Sequence, residues 1–217
     1  MRFPNAAKGV KKLFTAEILQ LIAEVVAIVA IAMLIITLAA EKAQSQGGVI
    51  VAGTGTVILF GATAVLTLIA GIMSLVGVIQ SAKDEGAFKV ALVAIIISLA
   101  AAVVAGVFSN NGVIQSICQV IQNVMSLAVT LFVINGITNL AEKLNNTEVW
   151  SRGRSLLKVI VCILAFSLIA SFISLIFGGA FVSTVAAILA LISAVLNVIS
   201  YILYLILLNK GKKMLAE

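Results

Sequence analysis

Six apolar runs, each of roughly 20 residues or more, leave this chain little choice of solvent. They extend approximately from Leu13 to Ala40, Val57 to Ile79, Ala87 to Phe108, Gly112 to Leu140, Leu156 to Phe177, and Phe181 to Leu208. About 20 mainly apolar residues let a helix cross the ~30 Å hydrocarbon of a bilayer. Apolar residues make up 63% of the chain and charged residues 10%, against roughly 45–50% and about 25% in soluble domains. Mean hydropathy is +1.27. No soluble interior of this size hides so much apolar surface, so the excess faces lipid. The expected fold is an all-α integral membrane protein with six transmembrane helices, a single membrane domain over residues 1–217.

Charge sets the expected threading. Thirteen of the 14 Lys and Arg residues flank the N-terminus, the second and fourth connections, or the C-terminus, and only Lys42 lies on the other side. Because basic loops stay inside, both termini are expected in the cytoplasm. The net charge of +6 is then a topology signal with some attraction to anionic lipid, and implies no nucleic-acid partner. The first apolar run is far longer than the 7–15 residues of a signal-peptide core, so it reads as an uncleaved anchor. Size and simplicity fit a bacterial cytoplasmic membrane.

The connections recur in design. A shift of 69 residues pairs Lys89 with Lys158, Ser98 with Ser167, Ala102 with Ser171, Ala105 with Ser174, and Phe108 with Phe177. A shift of 59 pairs Thr63 with Gln122, Thr67 with Ser126, Gly77 with Gly136, and Gln80 with Asn139. These matches predict three consecutive two-helix hairpins, over residues 1–85, 86–148 and 149–217, with a longer outer loop, EKAQSQGGVIVAGTG, in the first. Units with an even number of spans insert in the same sense, so a symmetry axis would run along the membrane normal.

The fourth run carries the most unusual pattern, GVIQSICQVIQNVMS. At about 100° per residue, Gln115, Gln119, Gln122 and Ser126 fall in one narrow arc, with Asn123 and Thr130 at its margin. Lipid cannot hydrogen-bond an amide, so the stripe is expected to face protein or water. It can be interhelical glue, at about 0.6 kcal/mol per bond, or the lining of a solute path. The matching positions of the other hairpins lose polarity, which disfavours a symmetric channel and favours glue. Glu17, Gln20 and Glu24 share one face of the first helix and are expected to complete this polar cavity or network, Glu24 meeting the amides.

Small residues line further faces. Ser98, Ala102 and Ala105 on the third helix and Ser167, Ser171 and Ser174 on the fifth are read as packing seams, since small faces let membrane helices approach closely. Trp150 beside Arg152 and Arg154 is read as an interfacial anchor. Asn145 and Thr147 form a glycosylation sequon, discounted because the charge pattern places it in the cytoplasm.

Chemistry is sparse. There is no histidine, a single aspartate and two cysteines, Cys118 and Cys162, inside apolar runs. His-based acid–base catalysis and zinc or other multi-ligand metal sites lack their residues, and no phosphate-binding glycine loop is present. The chain is expected to be no enzyme and to hold no cofactor or metal.

The six-helix, three-hairpin plan resembles the HdeD-type acid-stress membrane proteins in outline, without their recurrent Gly and Pro positions. Size and helix count are similar to the vitamin-capturing S-components, and Ala23-x-x-x-Ala27 resembles one copy of their first-helix docking motif. The first likeness implies an accessory, assembly or stress-type component, partnered by the lipid bilayer and by itself or another membrane protein. The second implies a small-solute transporter or substrate-capture subunit using the amide stripe and the first-helix acids.

Overall fold

All of the helices but the third extend beyond the apolar stretches that predict them. The computed structural model describes residues 2–42, 46–108, 111–176 and 180–216, with side chains described at 2–36, 55–108, 111–162, 196 and 198–216. These contain six helices and no strand: α1 (Pro4–Lys42), α2 (Gln46–Ser81), α3 (Ala87–Val107), α4 (Gly112–Lys143), α5 (Thr147–Ile176) and α6 (Ala180–Ala216). The expected outer loop is largely helical, because α2 already begins at Gln46. No proline interrupts that stretch.

Four segments, Pro4–Ile36, Gly55–Ser81, Ala87–Val107 and Gly112–Lys143, are long and apolar enough to cross a membrane. At 1.5 Å per residue the 32 residues of α4 extend about 48 Å, well beyond the ~30 Å hydrocarbon layer.

The chain forms two compact units, one of Met1–Val10 with Val78–Glu217 and the other of Lys11–Gly77. In the first, α3 packs on α4, α4 on α5 and α6, and α5 on α6. Its fully buried large side chains are Val10, Val78, Phe88, Val133, Ile134, Ile137, Leu140, Leu207 and Leu208. All belong to helix ends that carry lysine or arginine or, for Val78 of α2, lead into the connection that holds Lys83, so the core closes at the basic end. Farther along α3 and α4 the aliphatic side chains turn outward: Val93, Ile96, Val103, Ile117, Val120 and Val124 are exposed. Water is a poor solvent for such a surface and hydrocarbon a good one.

Two glycines set the spacing in that core. A Cβ on Gly136 of α4 would lie 2.6 Å from the Phe88 ring of α3, and one on Gly153 of α5 would collide with the Thr138 hydroxyl of α4. Each glycine thus admits a side chain from the next helix directly against its backbone, as small-residue contacts do between membrane helices. Gly211 of α6 meets Ile137 of α4 in the same way, with Val10 of α1 in ordinary contact beside it.

In the Lys11–Gly77 unit, α1 buries Ala16, Ala23 and Ala30, and α2 buries Thr56 and Ala70. Met33 lies against Gly55.

Candidate functional site

Three polar constellations stand out from the apolar helices. On α4, Asn111 caps the first turn, its side-chain oxygen accepting from the Val113 and Ile114 amides at 3.2 Å each. This cap fixes where the helix begins and so the phase of the amide stripe. Gln115, Gln119, Asn123 and Ser126 are exposed, and Gln122 and Thr130 are half-buried. Cys118, on a neighbouring face, is buried. The hydroxyls of Ser116 and Thr130 donate to backbone carbonyls one turn earlier on their own helix, a local satisfaction open to short hydroxyl side chains. The amides extend farther from the helix. The first-helix acids belong to the Lys11–Gly77 unit, where Glu17 and Gln20 are half-buried and Glu24 is exposed.

The second constellation locks the basic end. The α2–α3 connection presents Asp84 and Glu85 side by side, and each reaches a different helix terminus. Asp84 accepts from the Asn5 amide at 2.9 Å and from the Ala6 backbone N–H at 2.7 Å. It therefore caps α1, which starts at Pro4 and has no acid in its own first turn; a carboxylate there satisfies an orphan N–H and complements the helix dipole. Glu85 is buried and accepts from Asn139 at 3.2 Å and from the Lys143 ammonium. Burial alone would raise its carboxyl pKa. The hydrogen bonds from Lys143 and Asn139 outweigh it and hold the group below the usual carboxylate range.

The third constellation is the start of α5. Asn145 closes α4 in the left-handed conformation, with φ of 55°. The Asn146 and Asn145 amides donate back to the Ala141 and Glu142 carbonyls, the bonding pattern of a Schellman stop. Asn146 then caps α5 by accepting from the Val149 amide at 3.0 Å. Both asparagines of the discounted sequon thus have structural work. Beyond them, Val149, Gly153, Leu156 and Ile160 face the core, which puts Arg152 on one flank and Trp150 and Arg154 on the other. The Arg154 guanidinium sits 4.6 Å above the Trp150 ring, a cation–π pair that holds both at this end. On the other flank Glu148 pairs with Lys210 of α6 and, at 3.2 Å, with Arg152. The Lys210 hydrogen bond is the main reason the Glu148 carboxyl is held below its ordinary value.

On the expected seams, Ser98 and Ala105 are half-buried and Ala102 is exposed, while their neighbours Ala91, Ala94 and Ala101 are buried. Ser167, Ser171 and Ser174 have side chains outside the described residues. Sequence reasoning missed the Asp84–Glu85 pair and Gly153. Asp84, as the lone aspartate in a short connection, was the available signal.

No family model matches this chain, and no curated protein or solved structure matches it significantly.

Proposed function

We propose that this chain is a non-enzymatic, six-span protein of a bacterial cytoplasmic membrane, built as three hairpins with both termini cytoplasmic. It serves as an assembly or accessory component, and it associates with a second copy of itself through the amide face of α4. The observation that carries this reading is the exposure of Gln119, Asn123 and Ser126 beside the exposed aliphatics Val120 and Val124. Gln119 to Ser126 lie about 10–21 Å along the helix from Gly112, at depths where lipid offers no hydrogen bond. A carboxamide both donates and accepts, so the same face on a second copy is complementary to it. Side chains at a two-fold axis meet their own kind, which suits amides and would not suit like charges.

The test is the oligomeric state of the full chain reconstituted in bilayers, followed by energy transfer between labelled copies across a range of protein-to-lipid ratios. The wild type should associate, and the Gln119→Leu/Gln122→Leu/Asn123→Leu variant should remain helical and monomeric. Unchanged association in that variant would refute the interface. A wild type that stays monomeric but releases a bound polar solute when the stripe is changed would instead move the stripe to solute capture.

A further inference from the structure

We propose that the groove between α5 and α6 at the basic end binds one anionic phospholipid from the leaflet on that side. The groove has a volume of about 190 Å³. Along α5 its lining passes from the polar Ser151, Arg152 and Ser155 at the rim to the apolar Val159, and α6 contributes the apolar Leu203 and Ile206. Ser151 to Val159 is about 12 Å of helical rise. The headgroup layer is ~5–8 Å thick on each side of the hydrocarbon, so the polar-to-apolar change along the groove covers a headgroup and the first carbons of an acyl chain.

Charge selects the headgroup. Glu148 is the acid at the rim, and two cations, Lys210 and Arg152, share it. Arg154 lies on the opposite flank of α5, over Trp150, so the rim's surplus is the one positive charge by which Arg152 and Lys210 exceed Glu148. A phosphate accepts two parallel N–H bonds from a guanidinium such as that of Arg152, and the Ser155 hydroxyl is a further donor. A zwitterionic headgroup offsets that surplus less than an anionic one. A helix from a second copy would need apolar contact along the whole groove and would leave the rim cations unmatched. The groove is separate from the α4 amide face, and lipid binding here does not depend on self-association.

Native mass spectrometry of the detergent-solubilised full chain tests this, with phosphatidylglycerol and phosphatidylcholine of identical acyl chains as probes. One phosphatidylglycerol should be retained at least fivefold more tightly than phosphatidylcholine. Arg152→Gln should weaken retention about fivefold, the equivalent of ~1 kcal/mol for one basic residue. Ile206→Trp, which fills the groove, should weaken both lipids. Lys83→Gln, an exposed cation on the α2–α3 connection, should change nothing. Equal retention of the two lipids would overturn the proposal, as would a loss in Lys83→Gln matching that in Arg152→Gln. Competition by glycerol 3-phosphate as effective as the whole lipid would overturn it too, by reducing the site to a phosphate contact. Should Arg152→Gln fail to fold, Ser155→Leu and Ile206→Trp carry the same comparison.

Discussion

The close approach of α4 and α5 yields a quantitative expectation for Gly153→Ala. The added methyl would overlap the Thr138 hydroxyl oxygen and come within 3.2 Å of Thr138 Cβ. Thr138 is buried and its hydroxyl donates to the Ile134 carbonyl at 2.7 Å, so it cannot swing aside without losing that bond. Overpacking of this kind costs about 1–3 kcal/mol and a lost hydrogen bond about 1 kcal/mol. Alanine returns up to ~1 kcal/mol of helix propensity over glycine, leaving a net loss of roughly 1–3 kcal/mol. In a Thr138→Ala background the overlapping oxygen is gone, and the same substitution should cost ~1 kcal/mol or less, because propensity then opposes a milder contact. The double-mutant cycle should therefore show a coupling of about 1–2 kcal/mol, read from unfolding of the detergent-solubilised protein by heat or by titration with sodium dodecyl sulfate. Additivity within ~0.5 kcal/mol, or a Gly153→Ala variant as stable as the parent, would refute the claim that this glycine sets the interhelical distance.

Two further outcomes follow from the polar groups at the basic end. Since the folded Glu85 carboxyl lies below its ordinary value, its stabilisation is fully present above the unfolded carboxylate pKa of ~4.3 and is lost as pH falls below that range. Lys143→Met should flatten the slope, because burial is then opposed only by the hydrogen bonds from Asn139 and the Ala87 N–H. That variant should be weaker by about 1–2 kcal/mol at neutral pH, scaled down from buried-pair values because Lys143 is half-exposed; melting temperature against pH reads both slopes. At the α4–α5 turn, Asn146→Ala should cost ~1 kcal/mol through the lost cap. In the same melts Asn145→Gly should be neutral or stabilising, since glycine adopts the left-handed conformation without steric cost.

Helices were legible in the sequence, but the location of the closed core was not, and the cause is physical. In a soluble protein an apolar face marks the inside. Here Ile134 is buried and Val124 is exposed on the same helix, because hydrocarbon and core accept the same aliphatic side chains. What separates them is small residues and polar contacts, and those acquire meaning only with a partner. Gly136 stood out in the sequence as a repeat match to Gly77, whereas its visible role is to seat Phe88. Gly153 lay between two arginines that drew attention to charge. Arg154 and Trp150 were readable because their spacing of four residues already places them together on a helix. Asp84 and Glu85 act over 54 to 79 residues of separation, beyond any local pattern.

The amide face shows why hydrogen-bond number alone does not set the strength of association. An unsatisfied polar group in hydrocarbon costs several kcal/mol, yet interhelical bonds in membranes average only about 0.6 kcal/mol, because separated helices also find partners for these groups. Three amides per copy, Gln119, Gln122 and Asn123, would then contribute on the order of 4 kcal/mol to a two-fold pair. That is millimolar affinity on the usual scale, enough for a dimer at high local density in a membrane and too little for a permanent one. A tight complex would require packing beyond the amides, and the exposed aliphatics Val120 and Val124 that border them are indifferent between lipid and protein. Association through α4 is therefore expected to be reversible, rising with surface density and weakening in excess lipid. A dimer that persists undiminished under lipid dilution would point to a different interface.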